Sequence, residues 1–280
     1  MTPTVFRDPA RPAPRFRPYK AMGHFRKLIA NKEDTEQVFR IYECLPSKHF
    51  VPTAKAFIES ETGQRLMASE PYLPPLLDDH ATLMKLPAGS VGRAYVDFMV
   101  REGLSAAGLV AESAKMRAGR PIYDDQLQWY ANRRRDTHDL FHVLTGYGRD
   151  PLGEQCVLGF SYGQSPERGS LFIAYAGGWE LKRRVKADAP VLGAIRQGQR
   201  CGKAAAQIVD QDIVALLAEP LEEARARLGI TVPTLYTQAH AAYRGRGIDP
   251  YNFLRVISSE VESPNDSEIA AKQEPRVAAA

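Results

Sequence analysis

The sequence predicts an all-α fold, a single-domain bundle of many helices with an apolar groove between them. Apolar residues recur at three- and four-residue spacing through most of the chain, as on one face of an amphipathic helix. Stretches that alternate apolar and polar residues, which indicate half-buried strands, are almost missing. The 280 residues are 44% hydrophobic, which is enough for a sizeable core. No linker-like stretch interrupts residues 19–260, so we expect one helical domain there.

The clearest helix follows Asp34, a good N-cap residue with Gln37 three residues later, and ends before Pro46. Between residues 159 and 169, glycines and Pro166 predict a loop or a broken helix. Further helices are predicted, with ends uncertain by about two to four residues, at 50–60, 76–84, 90–103, 106–118, 124–146, 152–159, 171–186, 191–208, 211–228 and 234–245.

Both ends of the chain are predicted to be disordered. Residues 1–18 form a basic, proline-rich arm, and residues 261–280 form a polar and then alanine-rich tail. Within residues 1–30, seven lysines and arginines stand against the single acid Asp8. This excess could bring the arm to acidic lipid head groups or leave it solvated. Beyond this charge nothing indicates nucleic-acid binding.

The cysteines and the hydropathy indicate a reducing compartment. Cys44, Cys156 and Cys201 are odd in number and widely spaced, so they predict neither a disulfide framework nor a Cys-x-x-Cys metal site. No apolar run approaches the ~20 residues of a membrane span, and the N-terminus lacks the apolar core of a secretory signal. We therefore expect a cytoplasmic protein with at most a peripheral membrane contact.

Two histidines and two acids lie within seventeen residues of one another: His138, Asp139, His142 and Glu154. On a helix that turns about 100° per residue, the first three side chains share one face and can converge on one ion. The residues between His142 and Glu154 predict a chain reversal, with Gly146 ending one helix and Asp150 and Pro151 starting the next. Glu154 would then face the histidines from the second helix.

Imidazoles and carboxylates together favour a divalent metal, Zn or Fe, with Mg or Mn also open. The alternative is a buried polar cluster without a metal. Just before the motif, Arg134 or Arg135 could bind a carboxylate or phosphate beside the metal, and Asp136 could orient an imidazole. A run of arginines is also typical of a solvated helix face, so both interpretations stay open.

The spacing His138-Asp139-x-x-His142-x(11)-Glu154 resembles the signature of the coenzyme Q (ubiquinone) biosynthesis protein four family. Three further segments are similar to blocks of that family: residues 17–35, 86–98 (LPAGSVGRAYVDF) and 221–230 (LEEARARLGI). The resemblance spans roughly residues 17–235. It implies an all-helical protein peripheral to the inner membrane, on the matrix side if the source is eukaryotic, that acts on a polyprenylated quinone precursor.

The resemblance also implies one divalent metal and oxidative decarboxylation at ring carbon C1 of a prenylated 4-hydroxybenzoate-type acid. The catalytic residues would then be Arg134, Arg135 and Asp136 beside the four metal ligands. Other ubiquinone-biosynthesis proteins are implied partners, and a homodimer is also open. A prenyl tail needs an apolar groove between helices, for which the candidate lining residues are Val91, Tyr95, Phe98, Phe141, Leu144, Phe172 and Tyr175.

Two other functions fit parts of the pattern. If the four ligands saturate the metal, the chain would be a non-catalytic, lipid-binding scaffold that organises the ubiquinone-synthesising complex. A His-Asp pair on a helix also occurs in metal phosphohydrolases, which would require further ligands from other helices. His80 with Asp78 or Asp79 could supply them.

Overall fold

The computed structural model describes residues 3–31, 34–70 and 72–252. In these ranges the regular structure is helical, apart from one isolated bridge between Ser90 and Pro220, so the all-α prediction is confirmed. The helices are α1 (Pro18–Ala30), α2 (Thr35–Cys44), α3 (Phe50–Glu59), α4 (Glu61–Ser69), α5 (Pro74–Asp78), α6 (His80–Leu83), α7 (Val91–Glu102), α8 (Ala106–Arg117), α9 (Gln126–Asp136), α10 (His138–Thr145), α11 (Pro151–Gln164), α12 (Arg168–Arg184), α13 (Val191–Ala204), α14 (Ile213–Ala218), α15 (Leu221–Leu228) and α16 (Thr234–Arg244).

Three predicted helices are each divided in two. The predicted 124–146 helix breaks at Thr137, whose hydroxyl donates to the Arg133 carbonyl oxygen at 3.0 Å. The predicted 211–228 helix breaks at Pro220, which has no N–H to continue a helix. The predicted 76–84 helix breaks at Asp79, whose side chain accepts from the Thr82 N–H and begins α6. Helices α1 and α4 were not predicted from the sequence at all.

Of the two alternatives predicted for residues 159–169, the broken helix is confirmed and the loop is wrong, because α11 continues to Gln164 and the chain breaks only at residues 165–167. The glycines of α11 instead allow its backbone to pack closely against α13. A β-carbon on Gly163 would lie 2.4 Å from the Gln199 carbonyl oxygen, and one on Gly202 would lie 2.1 Å from the Phe160 carbonyl oxygen. The backbones of α11 and α13 therefore touch at the centre of the fold.

In the described ranges, the buried apolar side chains form three clusters. The first joins α1, α2, α11, α12, α13 and α16, the second joins α7, α10, α14 and α15, and the third joins α3, α4 and α9. Phe141 of α10 packs against both the first and the second cluster. Helix α10 therefore lies between the two larger parts of the core.

Residues 3–17 contain no helix but have defined contacts, which differs from the disorder predicted for the arm. The Leu127 N–H donates to the Phe6 carbonyl oxygen at 3.0 Å, and Arg11 pairs with the buried Asp125 at 2.5 Å. Composition alone does not distinguish a disordered arm from an extended segment that docks on α9. The tail predicted at 261–280 lies outside the described residues. Among the residues that are described, no helix is long and apolar enough to cross a bilayer.

Candidate metal centre

The first turn and a half of α10 brings three motif side chains together. His138, Asp139 and His142 each offer a ligand atom, and these atoms all lie within 4.8 Å of one another. The break at Thr137 makes His138 the first residue of α10. Asp139 and His142 are buried. The spacing on one helical face therefore produces the convergence that the sequence predicts.

Glu154 reaches the same place from α11. Gly146 ends α10 with a φ of 75°, a left-handed value that favours glycine. Asp150 then begins α11 by accepting from the N–H groups of Leu152 and Gly153 at 3.1 and 3.2 Å. This reversal puts a Glu154 carboxylate oxygen 3.6 Å from His142 Nε2.

The ring of His142 is held from two sides. Its Nδ1 lies 3.0 Å from the Tyr147 carbonyl oxygen, which can only accept, so this nitrogen carries the proton and Nε2 faces Glu154. Phe98 stacks on the imidazole with ring centroids 5.2 Å apart and planes inclined by 22°. Such support fixes the tautomer and orientation of a metal-binding histidine.

Burial and neighbouring charges set the protonation of these groups. Burial and the adjacent His142 lower the pKa of His138, so its ring is neutral and able to coordinate. Burial opposes a charge on His142, but the Glu154 carboxylate outweighs it and raises the pKa of His142. Burial likewise opposes the charge on Glu154, and His142 outweighs it and lowers the pKa of Glu154.

Two imidazoles and two carboxylates suit Zn²⁺, Fe²⁺ or Mn²⁺. The ligand atoms of three donors lie within 4.8 Å of one another, and a carboxylate oxygen of Glu154 lies 3.6 Å from His142 Nε2. The residues present therefore fit a divalent ion, and they do not select among the three metals. Arg149 also contacts Glu154, with its Nε 3.3 Å from the carboxylate.

The four motif side chains form part of the wall of a cavity of about 800 Å³. Most of the remaining wall is apolar and comes from α1, α2, α8, α10, α11 and α12. Representative side chains are Phe25, Leu28, Val38, Leu109, Phe141 and Leu158. A predominantly apolar cavity with convergent polar groups at one place is the usual form of a small-molecule site.

Only one of the seven side chains predicted to line the groove lies in this wall, namely Phe141. Phe172 packs edge-on against Phe25, and Tyr175 donates to Gln199 at 2.7 Å between α12 and α13. Sequence periodicity identifies the apolar face of a helix but does not tell core from cavity. The other four are core residues: Val91, Tyr95, Phe98 and Leu144.

The arginine run is not a solvated face. Arg133 is fully buried in an ion pair with Glu70 at 2.7 Å. Arg134 lines the cavity, pairs with Glu167 and lies over the rings of Phe50 and Tyr130. Arg135 also lines the cavity and pairs with Asp136 at 2.7 Å. Of the three, Arg134 and Arg135 can reach a molecule in the cavity.

Asp136 has a different place from the one predicted. It is buried, it lies outside the cavity wall, and its hydrogen bond is to Arg135, with no imidazole as partner. Burial raises its pKa to about 6. The structure therefore supports Asp136 as the partner that holds Arg135, and it does not support direct contact with a substrate.

Comparison with known proteins identifies the family. The family model described as "Coenzyme Q (ubiquinone) biosynthesis protein Coq4" matches residues 29–234. The chain belongs to this family. Within it, the chain is 27% identical to a mitochondrial ubiquinone biosynthesis protein COQ4 from Pyricularia oryzae, over 68% of this chain and 61% of that protein. It is 29% identical to the mitochondrial COQ4 homologue of Drosophila ananassae, over 62% of each chain.

The fold of this Coq4-family chain has a solved counterpart. A crystal structure from Nostoc punctiforme, of a protein assigned provisionally to ubiquinone biosynthesis, superposes with a TM-score of 0.54 at 22% identity. The match covers 76% of this chain and 98% of the other. At that identity the likeness shows the fold alone. The two curated relatives extend well beyond the shared region, since the matches cover 61% and 62% of their lengths.

The residues offered for a phosphohydrolase have other roles in this Coq4-family chain. The Asp78 carboxylate accepts from the N–H groups of Ala106 and Ala107 at 2.7 and 2.8 Å and so caps α8. Asp79 caps α6, and neither acid nor His80 lies in the cavity wall. The additional ligands that this chemistry requires are therefore not supplied by these residues.

Sequence reasoning missed the surroundings of Asp150. His240, which looks isolated in the sequence, has its Nε2 3.1 Å from Asp150 Oδ1, and the Tyr236 hydroxyl donates to Asp150 Oδ2. All three residues are buried. No local spacing could reveal this contact, because about ninety residues separate its members in the sequence.

Proposed function

We propose that this chain is a ubiquinone-biosynthesis protein that binds a polyprenylated aromatic acid in its cavity and promotes metal-dependent oxidative decarboxylation at ring carbon C1. The observation that carries the proposal is the meeting of a metal-type ligand set with a large apolar cavity. The pathway comes from the family, and the relatives named above are ubiquinone biosynthesis proteins.

His138, Asp139, His142 and Glu154 would hold the metal, which supplies Lewis-acid chemistry and, as iron, access to dioxygen. The chain fixes these donors through the helical spacing on α10 and the Asp150 cap of α11. The Tyr147 carbonyl keeps the proton of His142 on Nδ1 and leaves Nε2 available. The site therefore presents donors in a prepared arrangement.

The apolar wall would bind the prenyl tail. Each methylene transferred from water contributes about 0.8 kcal/mol, so several isoprene units can provide most of the affinity. The same side chains exclude water from the ring. Phe141, at the junction of two core clusters, lies one residue before His142 and would contact the ring end of the ligand.

Arg134 and Arg135 would orient the carboxylate of the substrate. Arg134 is held in place by Glu167, and Arg135 by Asp136, so each guanidinium is ordered before a ligand arrives. In the reaction the bond between C1 and the carboxyl carbon would break and carbon dioxide would leave. One atom of dioxygen would become the ring hydroxyl, and the other would leave as water with two protons and two electrons from an external reductant. Guanidinium groups would hold the departing carboxylate in the plane of the ring.

The turnover experiment uses a prenylated 4-hydroxybenzoate labelled with ¹³C in the carboxyl group, under ¹⁸O₂, with ascorbate as the electron donor. The wild-type protein loaded with Fe²⁺ should release ¹³CO₂ and place ¹⁸O on the ring, and Asp139→Asn should reduce both by on the order of a hundredfold. Asp97→Asn, the same change at an exposed residue of α7 outside the cavity wall, is the matched control. Wild-type protein that binds the acid and never converts it, with any of the three metals, contradicts the enzymatic proposal.

The scaffold alternative is favoured by one observation: three ligand atoms lie within 4.8 Å of one another and Glu154 lies 3.6 Å from His142, so the protein alone could fill the coordination sphere of an ion. Under this alternative the metal stabilises the fold and the cavity only carries lipid. His142→Ala should then lower the melting temperature and the binding of partner proteins together. A stable His142→Ala variant that still binds partners and has lost turnover supports the enzyme instead.

The proposal also places the protein on a membrane surface, from which a polyprenylated substrate can enter. The inner face of α1 lines the cavity through Phe25 and Leu28, and its outer face carries Tyr19, 93% exposed, with Lys20 and Arg26. Basic residues next to an exposed aromatic suit an anionic lipid surface. Association with other ubiquinone-biosynthesis proteins or with a second copy is part of the same proposal.

A further inference from the structure

The reversal between α10 and α11 is held by a helix that is distant in sequence. Helix α16 buries Tyr236 and His240 against residues 147–150. The region matched by the family model ends at residue 234, where α16 begins, so both side chains lie beyond that region. Helix α16 therefore supplies these contacts from outside the matched region.

Asp150 receives four hydrogen bonds in this arrangement. Its Oδ1 accepts from the N–H groups of Leu152 and Gly153 and lies 3.1 Å from His240 Nε2. Its Oδ2 accepts from the Tyr236 hydroxyl. An N-cap needs only the two backbone bonds. The two side-chain donors from α16 are additional, and their hydrogen bonds to Asp150 offset the cost of burying them.

Tyr236 also contacts the loop directly. Its hydroxyl oxygen accepts from the Gly148 N–H at 3.0 Å while its proton goes to Asp150, so one atom joins the two ends of the reversal. The ring of Tyr236 packs edge-on against Tyr147 with centroids 5.3 Å apart. A β-carbon on Gly148 would lie 2.9 Å from this hydroxyl, so a glycine is required for the approach.

Both metal-ligand helices depend on this loop. The Tyr147 carbonyl is the group that accepts from His142 Nδ1, at 3.0 Å. At the other end, the Glu154 N–H donates to the Asp150 carbonyl oxygen at 3.0 Å, one turn into α11. A change in the loop would rotate the imidazole of His142 and move Glu154 relative to it.

We propose that Tyr236 and His240 are positioning residues of the metal centre, which act through Asp150 and the Tyr147 carbonyl on His142 and Glu154. The inference rests on the proposed function in one respect, that the cluster binds a metal. Neither side chain lies in the cavity wall, so they position the ligands without contact with a substrate. Groups that orient metal ligands typically contribute about tenfold to hundredfold in metal affinity.

Tyr236→Phe tests this directly, because it removes the hydroxyl and keeps the ring. The full chain is titrated with Co²⁺ against a chelating dye, and the visible spectrum of bound Co²⁺ is recorded, well below the melting temperature of each variant. We expect Tyr236→Phe to weaken Co²⁺ binding about tenfold or more and to change the spectrum. His240→Ala should do the same, whereas His240→Gln, which restores an N–H donor, should recover most of the affinity.

The matched control is Tyr175→Phe, which removes a tyrosine hydroxyl bond between α12 and α13, away from the cavity wall. It should lower the melting temperature while Co²⁺ affinity and spectrum stay those of the wild type. Wild-type affinity and spectrum in Tyr236→Phe and His240→Ala overturn the inference and leave the proposed function standing. Wild-type protein that binds no Co²⁺, Zn²⁺ or Fe²⁺ overturns the proposed metal function and the inference with it.

Discussion

At the scale of single residues, Glu70 is an acid on which several distant segments depend. Its carboxylate pairs with Arg133 at 2.7 Å and accepts from the Val214 N–H at 3.0 Å. Arg133 in turn donates to the carbonyl oxygens of Val209 and Gln211. The pair therefore links the end of α4 and the start of α14 to α9, the helix that comes just before the metal ligands in the sequence.

Removing one partner of this pair should be costly. Glu70→Ala leaves the buried Arg133 charge without a carboxylate partner. We therefore expect the free energy of unfolding to fall by about 3–5 kcal/mol in urea denaturation. The double variant Glu70→Leu/Arg133→Met should recover part of that loss. Glu59→Ala, in the exposed pair with Lys55, is the control and should change stability by less than about 1 kcal/mol. Equal effects of Glu70→Ala and Glu59→Ala would contradict the account.

Local spacing explains which site residues the sequence could predict. His138, Asp139 and His142 lie on one helix, so their convergence follows from helical geometry alone. The position of Glu154 followed from recognisable stop and start signals at Gly146 and Asp150. By contrast, the partners of Arg133 and of Asp150 come from other parts of the chain, and single-sequence periodicity contains no information on such contacts.

At the scale of elements, α11 and α13 pack backbone against backbone. Gly163→Ala would put a β-carbon 2.4 Å from the Gln199 carbonyl oxygen, which belongs to backbone that cannot turn aside. We expect a loss of about 1–3 kcal/mol in the free energy of unfolding, measured by urea denaturation.

Gly23→Ala on α1 is the control for this change. Its β-carbon would meet nothing within 4 Å, and alanine is the better helix former, so stability should rise by up to about 1 kcal/mol. If Gly163→Ala proves as harmless as Gly23→Ala, the helices are not in backbone contact. The same contact explains why a loop was predicted at residues 159–169. Glycines usually indicate a loop, but in this stretch they permit close packing of two helices.

At the scale of the whole molecule, residues between positions 14 and 209 line one large cavity. The all-α class was predictable, because it depends on a periodicity repeated along the chain. Which residues line the cavity was not predictable, because the apolar face of α7 fills the core whereas apolar side chains of α1, α2 and α8 line the cavity. Which faces meet is decided by the packing of the complete set of helices.

Filling the cavity tests this arrangement. Leu109 of α8 lines the wall, so Leu109→Trp should weaken binding of a farnesylated 4-hydroxybenzoate by about tenfold in calorimetric titration, since apolar contact with the tail is lost. Metal content should not change. Val100→Trp, at an exposed position of α7, is the control and should bind like the wild type. Undiminished binding in Leu109→Trp would place the tail elsewhere.

The central claim is that one divalent metal is held by the α10 and α11 ligands, and elemental analysis after equilibrium dialysis against Zn²⁺ or Fe²⁺ tests it most directly. We expect about one tightly bound ion per wild-type chain and a loss of affinity on the order of a hundredfold or more in the double variant His138→Ala/His142→Ala. Asp97→Asn should retain the full amount. A wild-type chain that retains no metal, or a double variant that retains as much as the wild type, would contradict the account.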